Sequence, residues 1–182
     1  KRDTIEELLL AGGIVNVDSS YELEILKDIC NKYQDKTIGV GLRCNFDIND
    51  GVLSRFGFDI DGMDFKNAIE MFKQIENLKL RGLHCHFATR NLDFWPARAE
   101  KMLTLVQKYF VEPPEYISLG GGLFGKMDES LKAQFNTKVP SYKEYAEAVA
   151  TKIKDFYKDI DQKNRPKLFI EPGTALVGDV MK

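Results

Sequence analysis

Two histidines, a run of three glycines and an acid at a Glu-Pro-Gly turn are the residues of this 182-residue chain best suited to chemistry. His84 and His86 are its only histidines, and both lie in the apolar stretch Leu80 to Phe87 (LRGLHCHF), which reads as a strand. Side chains alternate across a strand, so both imidazoles share one face and Cys85 points away. A His-x-His pair can ligate zinc, but a metalloenzyme site needs further ligands. No acidic pair stands at a recognisable ligand spacing, so no metal is expected. His84 reads as a core histidine with its hydrogen bonds satisfied; His86, nearer the strand end, reads as functional. Gly120-Gly121-Gly122 directly follows the strand-like YISL. Its glycines allow positive φ and close backbone approach, which suits either a phosphate nest of N–H groups or a tight strand exit. Glu171 stands before Pro172-Gly173 at the end of KLFI. A carboxylate there can ligate a metal, act as a base or hold a protonated ring nitrogen. Arg55, in Ser54-Arg55-Phe56-Gly57, taken alone reads as part of a solvated turn.

Short apolar strands must position these groups. The pattern predicts strands at Ile14 to Asp18, Thr37 to Asn45, Leu80 to Phe87, Tyr116 to Leu119 and Lys167 to Ile170. Amphipathic helices are predicted after Ser19, after Asp64, over Trp95 to Phe110 and over Tyr142 to Tyr157. Thr4-x-x-Glu7, Ser19-x-x-Glu22 and Ser141-x-x-Glu144 each fit a capping box. Alternation of strand and helix indicates βαβ units and a parallel sheet, either open and doubly covered or closed as a barrel. The connection from Gly122 to about Pro140 is long for such a unit and reads equally as a lid over the strand ends or as a disordered insertion.

Composition narrows the function classes. Lys plus Arg total 26 and Asp plus Glu total 28, a formal net charge of -2, which argues against a nucleic-acid or membrane-surface protein built on a basic field. No apolar run is long enough to cross a bilayer. Cys30, Cys44 and Cys85 are odd in number and widely spaced, which fits a reducing compartment better than a disulfide framework. With no leader-like segment visible, a cytoplasmic location is expected.

VDSSYEL at 17–23, LRCN at 42–45, SRFGFD at 54–59, GLHCHFATR at 82–90, ISLGGGL at 117–123 and IEPGTALVG at 170–178 occur in this order. Together they resemble the pyridoxal-phosphate barrel of the diaminopimelate and ornithine decarboxylase family; alanine racemase shares that barrel class more distantly. The resemblance implies an α/β fold, a parallel (β/α)8 TIM-type barrel of which about strands four to eight are present. It implies pyridoxal 5'-phosphate as cofactor, a small amino acid as substrate and a homodimeric parent enzyme. That enzyme would remove the α-carboxylate through an external aldimine. His86 occupies the position that stacks on the cofactor ring, and Glu171 that of the acid paired with the pyridinium nitrogen. Gly120, Gly121 and Gly122 match the phosphate-binding loop, with Thr89, Gly173 and Thr174 also at cofactor-binding positions. Arg43 matches an arginine near the cofactor and Arg55 a basic position assigned here to substrate.

Two residues depart from the family pattern. Ala88-Thr89 stands where Gly-Ser is usual, and Thr174 where the last motif ordinarily ends in arginine. The Schiff-base lysine of the family precedes these segments, and its C-terminal β domain follows them. Residues 1–182 are therefore expected to be a partial cofactor-binding barrel domain, inactive by itself. A racemase on the same barrel and a homologue that has lost its chemistry are the alternatives.

Overall fold

In the computed structural model, which describes residues 2–52, 54–135 and 138–177, six strands form one parallel sheet. The elements run α1 (Arg2–Leu10), β1 (Asn16–Val17), α2 (Ser20–Lys32), β2 (Ile38–Asn45), β3 (Phe58–Asp59), α3 (Met63–Gln74), β4 (Leu78–Phe87), α4 (Trp95–Tyr109), β5 (Tyr116–Gly121), α5 (Glu129–Lys132), α6 (Tyr142–Phe156), β6 (Lys167–Glu171) and α7 (Thr174–Val177). Single-turn 3-10 helices at Leu92–Phe94 and Gln162–Asn164 lead into α4 and β6. The strand order is β1-β2-β4-β5-β6, with β3 paired to β2, and every pairing is parallel. This is the expected α/β fold.

Alternation along the strands separates a core face from a polar face. Leu83 and Cys85 of β4, with Ile117 and Leu119 of β5, are fully buried on one face. They join a core that includes Phe65 and Ala68 of α3 and Trp95, Ala99 and Met102 of α4. The opposite face carries Asn16, Gly41, Gly82 and Tyr116 as one register row. There the Tyr116 hydroxyl donates to Asn16 Oδ1 at 2.6 Å, reaching across β4 and β2. A Cβ on Gly82 would stand 2.6 Å from the Tyr116 carbonyl oxygen and 2.7 Å from its ring, so the phenol needs glycine beside it.

A bulge sets the phase of that face. Val40 pairs with Leu80 but Gly41 pairs with Gly82, which leaves Arg81 as an extra residue in β4. Without it, Arg43 would register with Leu83 and the two histidines would join the core side of β2. With it, Arg43 registers with His84.

Several local expectations change. Thr4 lies inside α1 and caps nothing, because the helix already runs from Arg2. Ser19 precedes α2 without a side-chain cap; instead the Glu22 carboxylate accepts the Asp18 N–H at 2.8 Å. Only Ser141 and Glu144 form the full reciprocal box. The Phe58–Asp59 strand is too short to show a period. The long connection after Gly122 contains α5, whose first turn is capped by Asp128, and its Phe124 is buried edge-on against Phe135 at 5.1 Å. The connection is thus anchored at Leu123 and Phe124, while Lys126, Asp128 to Leu131, Ala133 and Gln134 stay exposed; Asn136 and Thr137 lie outside the described residues.

Tyr116→Phe should cost about 1 kcal/mol through the lost hydrogen bond. Gly82→Ala should cost about 2 kcal/mol or more, because its neighbour is backbone that cannot swing aside. Urea unfolding of both variants checks the order.

Candidate functional site

His86, Gly120 and Glu171 occupy one register row across β4, β5 and β6. Residues in register on parallel strands share a face, so the imidazole and the carboxylate both rise above Gly120. Their strands are two spacings apart, about 9.6 Å at the usual 4.8 Å per strand. The side chains nevertheless meet, His86 Nδ1 to Glu171 Oε2 at 2.8 Å. A Cβ on Gly120 would press on both of those atoms and stand 3.0 Å from Glu171 Cδ. Glycine is required here because the space above β5 is already used by the pair.

His84, one row below, joins the same carboxylate: its Nε2 lies 3.2 Å from Glu171 Oε1. The contact is off the line of a good hydrogen bond, and His84 Nδ1 has no partner among the described residues. His84 is therefore not the satisfied core histidine expected from its neighbours; it is a buried member of the site. The signal was its position two residues from His86 on one strand face. The three ligating atoms lie within 4.8 Å of one another, so β6 supplies the third donor whose lack in the sequence argued against a metal.

Electrostatics follow burial. Burial drives the His84 imidazole below its ordinary value, further than the attraction of Glu171 raises it. For Glu171, burial raises the carboxyl, but the hydrogen bond from His86 and the charges of both histidines outweigh it and hold the acid below the usual range. At neutral pH the site presents an ionised carboxylate beside a neutral buried imidazole.

Arg43 shares the row of His84 and is half-buried. Its Nη1 donates to Asp18 Oδ2 at 3.3 Å, and its guanidinium lies 5.2 Å from the Phe56 ring centre. Arg55 stacks on the same ring at 5.1 Å but is exposed, and among the described residues no ion pair or hydrogen bond ties it to the histidines or to Glu171. The structure thus brings Arg43 to the site and leaves Arg55 at its margin.

The strand exits lie close together. Gly121 has φ +108°, and a Cβ there would overlap the Phe87 carbonyl; Gly122 donates its N–H to that carbonyl at 3.2 Å. This contact accounts for glycine at 121 as a tight exit, one of the two expected readings. The Thr89 hydroxyl donates to Asp50 Oδ2, and the Thr89 carbonyl accepts from Arg98 Nη2 at 2.5 Å. Neither Asp50 nor Arg98 belongs to a recognisable motif, and sequence reasoning passed over both. Gly173 turns the chain with φ +44° after Glu171-Pro172, and α7 follows directly. The side chain of Thr174 lies outside what the structure describes.

The family model described as "Pyridoxal-dependent decarboxylase, pyridoxal binding domain" matches residues 1–178. The diaminopimelate decarboxylase of Bacillus subtilis (strain 168) is 30% identical over 189 residues, covering 92% of this chain and 39% of that protein. That of Aquifex aeolicus (strain VF5) is 29% identical over 179 residues, covering 90% and 38%. Among solved structures, M. jannaschii diaminopimelate decarboxylase in complex with L-lysine superposes with a TM-score of 0.74 at 23% identity, covering 97% of this chain and 42% of that one. The arginine decarboxylase of Paramecium bursaria Chlorella virus gives 0.67 at 20% identity, covering 96% and 44%. These two likenesses show the fold. The chain spans about two fifths of the length of the curated relatives it matches.

The shifts at the site predict a pH dependence. An unfolded chain protonates His84 from about pH 6.5 downward while the folded site resists, so stability is lost as pH falls from there towards the folded value. Glu171 adds a second loss below about pH 4.5, as pH falls through its lowered value. Urea unfolding between pH 7 and 5 should show declining stability, and His84→Gln should flatten that interval. An unchanged slope in the variant would place the effect elsewhere.

Proposed function

Because the chain belongs to the pyridoxal-dependent decarboxylases, as their pyridoxal binding domain, we propose that the whole protein removes the α-carboxylate of a small amino acid as CO₂. The observation that carries this reading is the meeting of Glu171 and His86 above Gly120.

The face fits a flat ring with a basic nitrogen. Gly120 puts no side chain between His86 and Glu171, and the half-exposed His86 imidazole offers a planar surface beside the carboxylate. Glu171, with a carboxyl held below the usual range, stands ready to accept an N–H from that ring. Pyridoxal phosphate, when bound, supplies an electron sink for the pair left at Cα as CO₂ departs. Glu171 keeps the proton on the ring nitrogen, since an adjacent carboxylate favours the charged form. His84 lies 3.2 Å from the other carboxylate oxygen, and His86 would stack on the ring. Thr89, Gly121, Gly122 and Gly173, with Thr174, form the phosphate end in this reading. Arg43, paired with Asp18, would lie beside the ring, and Arg55 at the margin would serve the substrate.

Diaminopimelate is the first substrate to assay, since seven curated relatives are diaminopimelate decarboxylases. Residues 1–182 are read as part of the cofactor-binding barrel domain of a homodimeric enzyme, with the cofactor lysine and a β domain supplied from outside these segments. The three free, buried cysteines agree with a cytoplasmic location. Among the described residues no helix is long and apolar enough to cross a membrane.

Glu171→Gln in the full-length protein should lower decarboxylase turnover by about 100-fold or more while leaving the thermal midpoint close to wild type. Steady-state kinetics with diaminopimelate, read beside circular dichroism, check this. Unchanged turnover would assign Glu171 a structural role.

A further inference from the structure

Arg98 is the one arginine with no exposed surface, set in the first turn of α4 behind the exits of β4 and β5. Nη2 donates to the Thr89 carbonyl at 2.5 Å and Nη1 to the Gly120 carbonyl at 3.4 Å, so a single guanidinium ties both exits together. Its plane lies 4.3 Å from the Trp95 ring centre and 5.4 Å from that of Phe87. Nε has no hydrogen-bond partner, and among the described residues no carboxylate lies within ion-pair distance of the group. A buried cation without a counter-ion is costly, and two carbonyls with two ring faces compensate it only in part. The opposite charge in this corner comes from Asp50. Its half-buried carboxylate accepts the Thr89 hydroxyl, and its field reaches Arg98.

We propose that Arg98 is the fixed positive charge behind an oxyanion subsite at the Thr89 hydroxyl, and that Asp50 occupies this subsite until the phosphate of the ligand displaces it. The inference rests on the cofactor reading above and adds two residues to it. Arg98 is a positioning residue: with no exposed surface it touches no ligand. It acts by holding the carbonyls of Thr89 and Gly120, and so the two exits, at a set separation. It also supplies a field that a phosphate in this corner would feel strongly, because the guanidinium is fully buried and poorly screened. Asp50 works in the opposite direction. Its carboxylate partly satisfies Arg98 and takes the Thr89 hydroxyl, so the incoming anion competes with it. Removing each charge should therefore move phosphate affinity in opposite directions, which a purely structural clamp would not do.

The test is calorimetric titration of the full-length protein with pyridoxal phosphate, with pyridoxal lacking phosphate, and with inorganic phosphate. Arg98→Met, which keeps the length and apolar packing of the stem, should weaken pyridoxal phosphate and inorganic phosphate by about tenfold or more. It should leave pyridoxal within about twofold, since that ligand carries no charge into the corner. Asp50→Asn should tighten both phosphate ligands by about threefold or more, again sparing pyridoxal. Equal affinities of wild type and Arg98→Met for the phosphate ligands would overturn the role of Arg98 and leave the cofactor reading standing. If wild type binds neither pyridoxal phosphate nor phosphate, both readings fall. Should Arg98→Met not fold, Arg98→Lys and Asp50→Asn decide the matter. The lysine variant should keep phosphate affinity within about fivefold and the asparagine variant should raise it. Weakening or no change in Asp50→Asn would contradict the competition.

Discussion

A carboxylate on one strand reaches an imidazole two strands away only because the strand between them has no side chain at that row. Gly120 supplies that gap, and the rest of the site is arranged around it. His86 on β4 and Glu171 on β6 lean towards each other over β5 and meet at 2.8 Å. His84 then closes on the second carboxylate oxygen from the row below. A Cβ at 120 would press on both Glu171 Oε2 and His86 Nδ1, so the requirement is chemical as much as architectural.

Register makes this contact possible, and burial sets register. Leu83, Cys85, Ile117 and Leu119 are withdrawn from water against the helices, and slipping any strand by one residue would exchange them for the polar row. The Arg81 bulge does that exchange once, deliberately in its effect: it changes the phase of β4 against β2 and brings the histidines to the side of Arg43. Apolar packing on one face thereby delivers two imidazoles, a guanidinium and a carboxylate to the other. The exits of β4 and β5 are drawn together in the same way, by the Phe87 to Gly122 hydrogen bond in front and by Arg98 behind.

Much of this was legible in the sequence. Short apolar runs located the five main strands because each is bounded by polar or glycine-rich residues. The His-x-His alternation put both imidazoles on one face, and the ordered segments pointed to the family that the comparisons show. What escaped depends on long-range geometry. The bulge at Arg81 shows only as a step of three between Leu80 and Leu83 in a strand whose apolar residues otherwise recur every second position, and nothing local says which face that step delivers to β2. His84 read as core because its burial is real, while its contact with Glu171 spans 87 positions of chain. Asp50 and Arg98 are an ordinary loop acid and an ordinary helix cation until the fold brings both to Thr89. Ser19 does stand at the N-cap of α2, but its side chain makes no cap hydrogen bond, and the Glu22 carboxylate accepts the N–H of Asp18 instead.

The claim on which the account turns is that Glu171 holds a proton on the nitrogen of a ring seated above Gly120. Nitrogen-15 NMR of the full-length protein, loaded with pyridoxal phosphate labelled at the ring nitrogen, reads that proton directly. The account predicts the chemical shift of a protonated pyridinium at pH 8 in the wild type, moving to that of a neutral pyridine in Gly120→Ala, where the carboxylate is pushed aside. A neutral pyridine in the wild type at that pH, or a pyridinium that survives the alanine substitution unchanged, would contradict it.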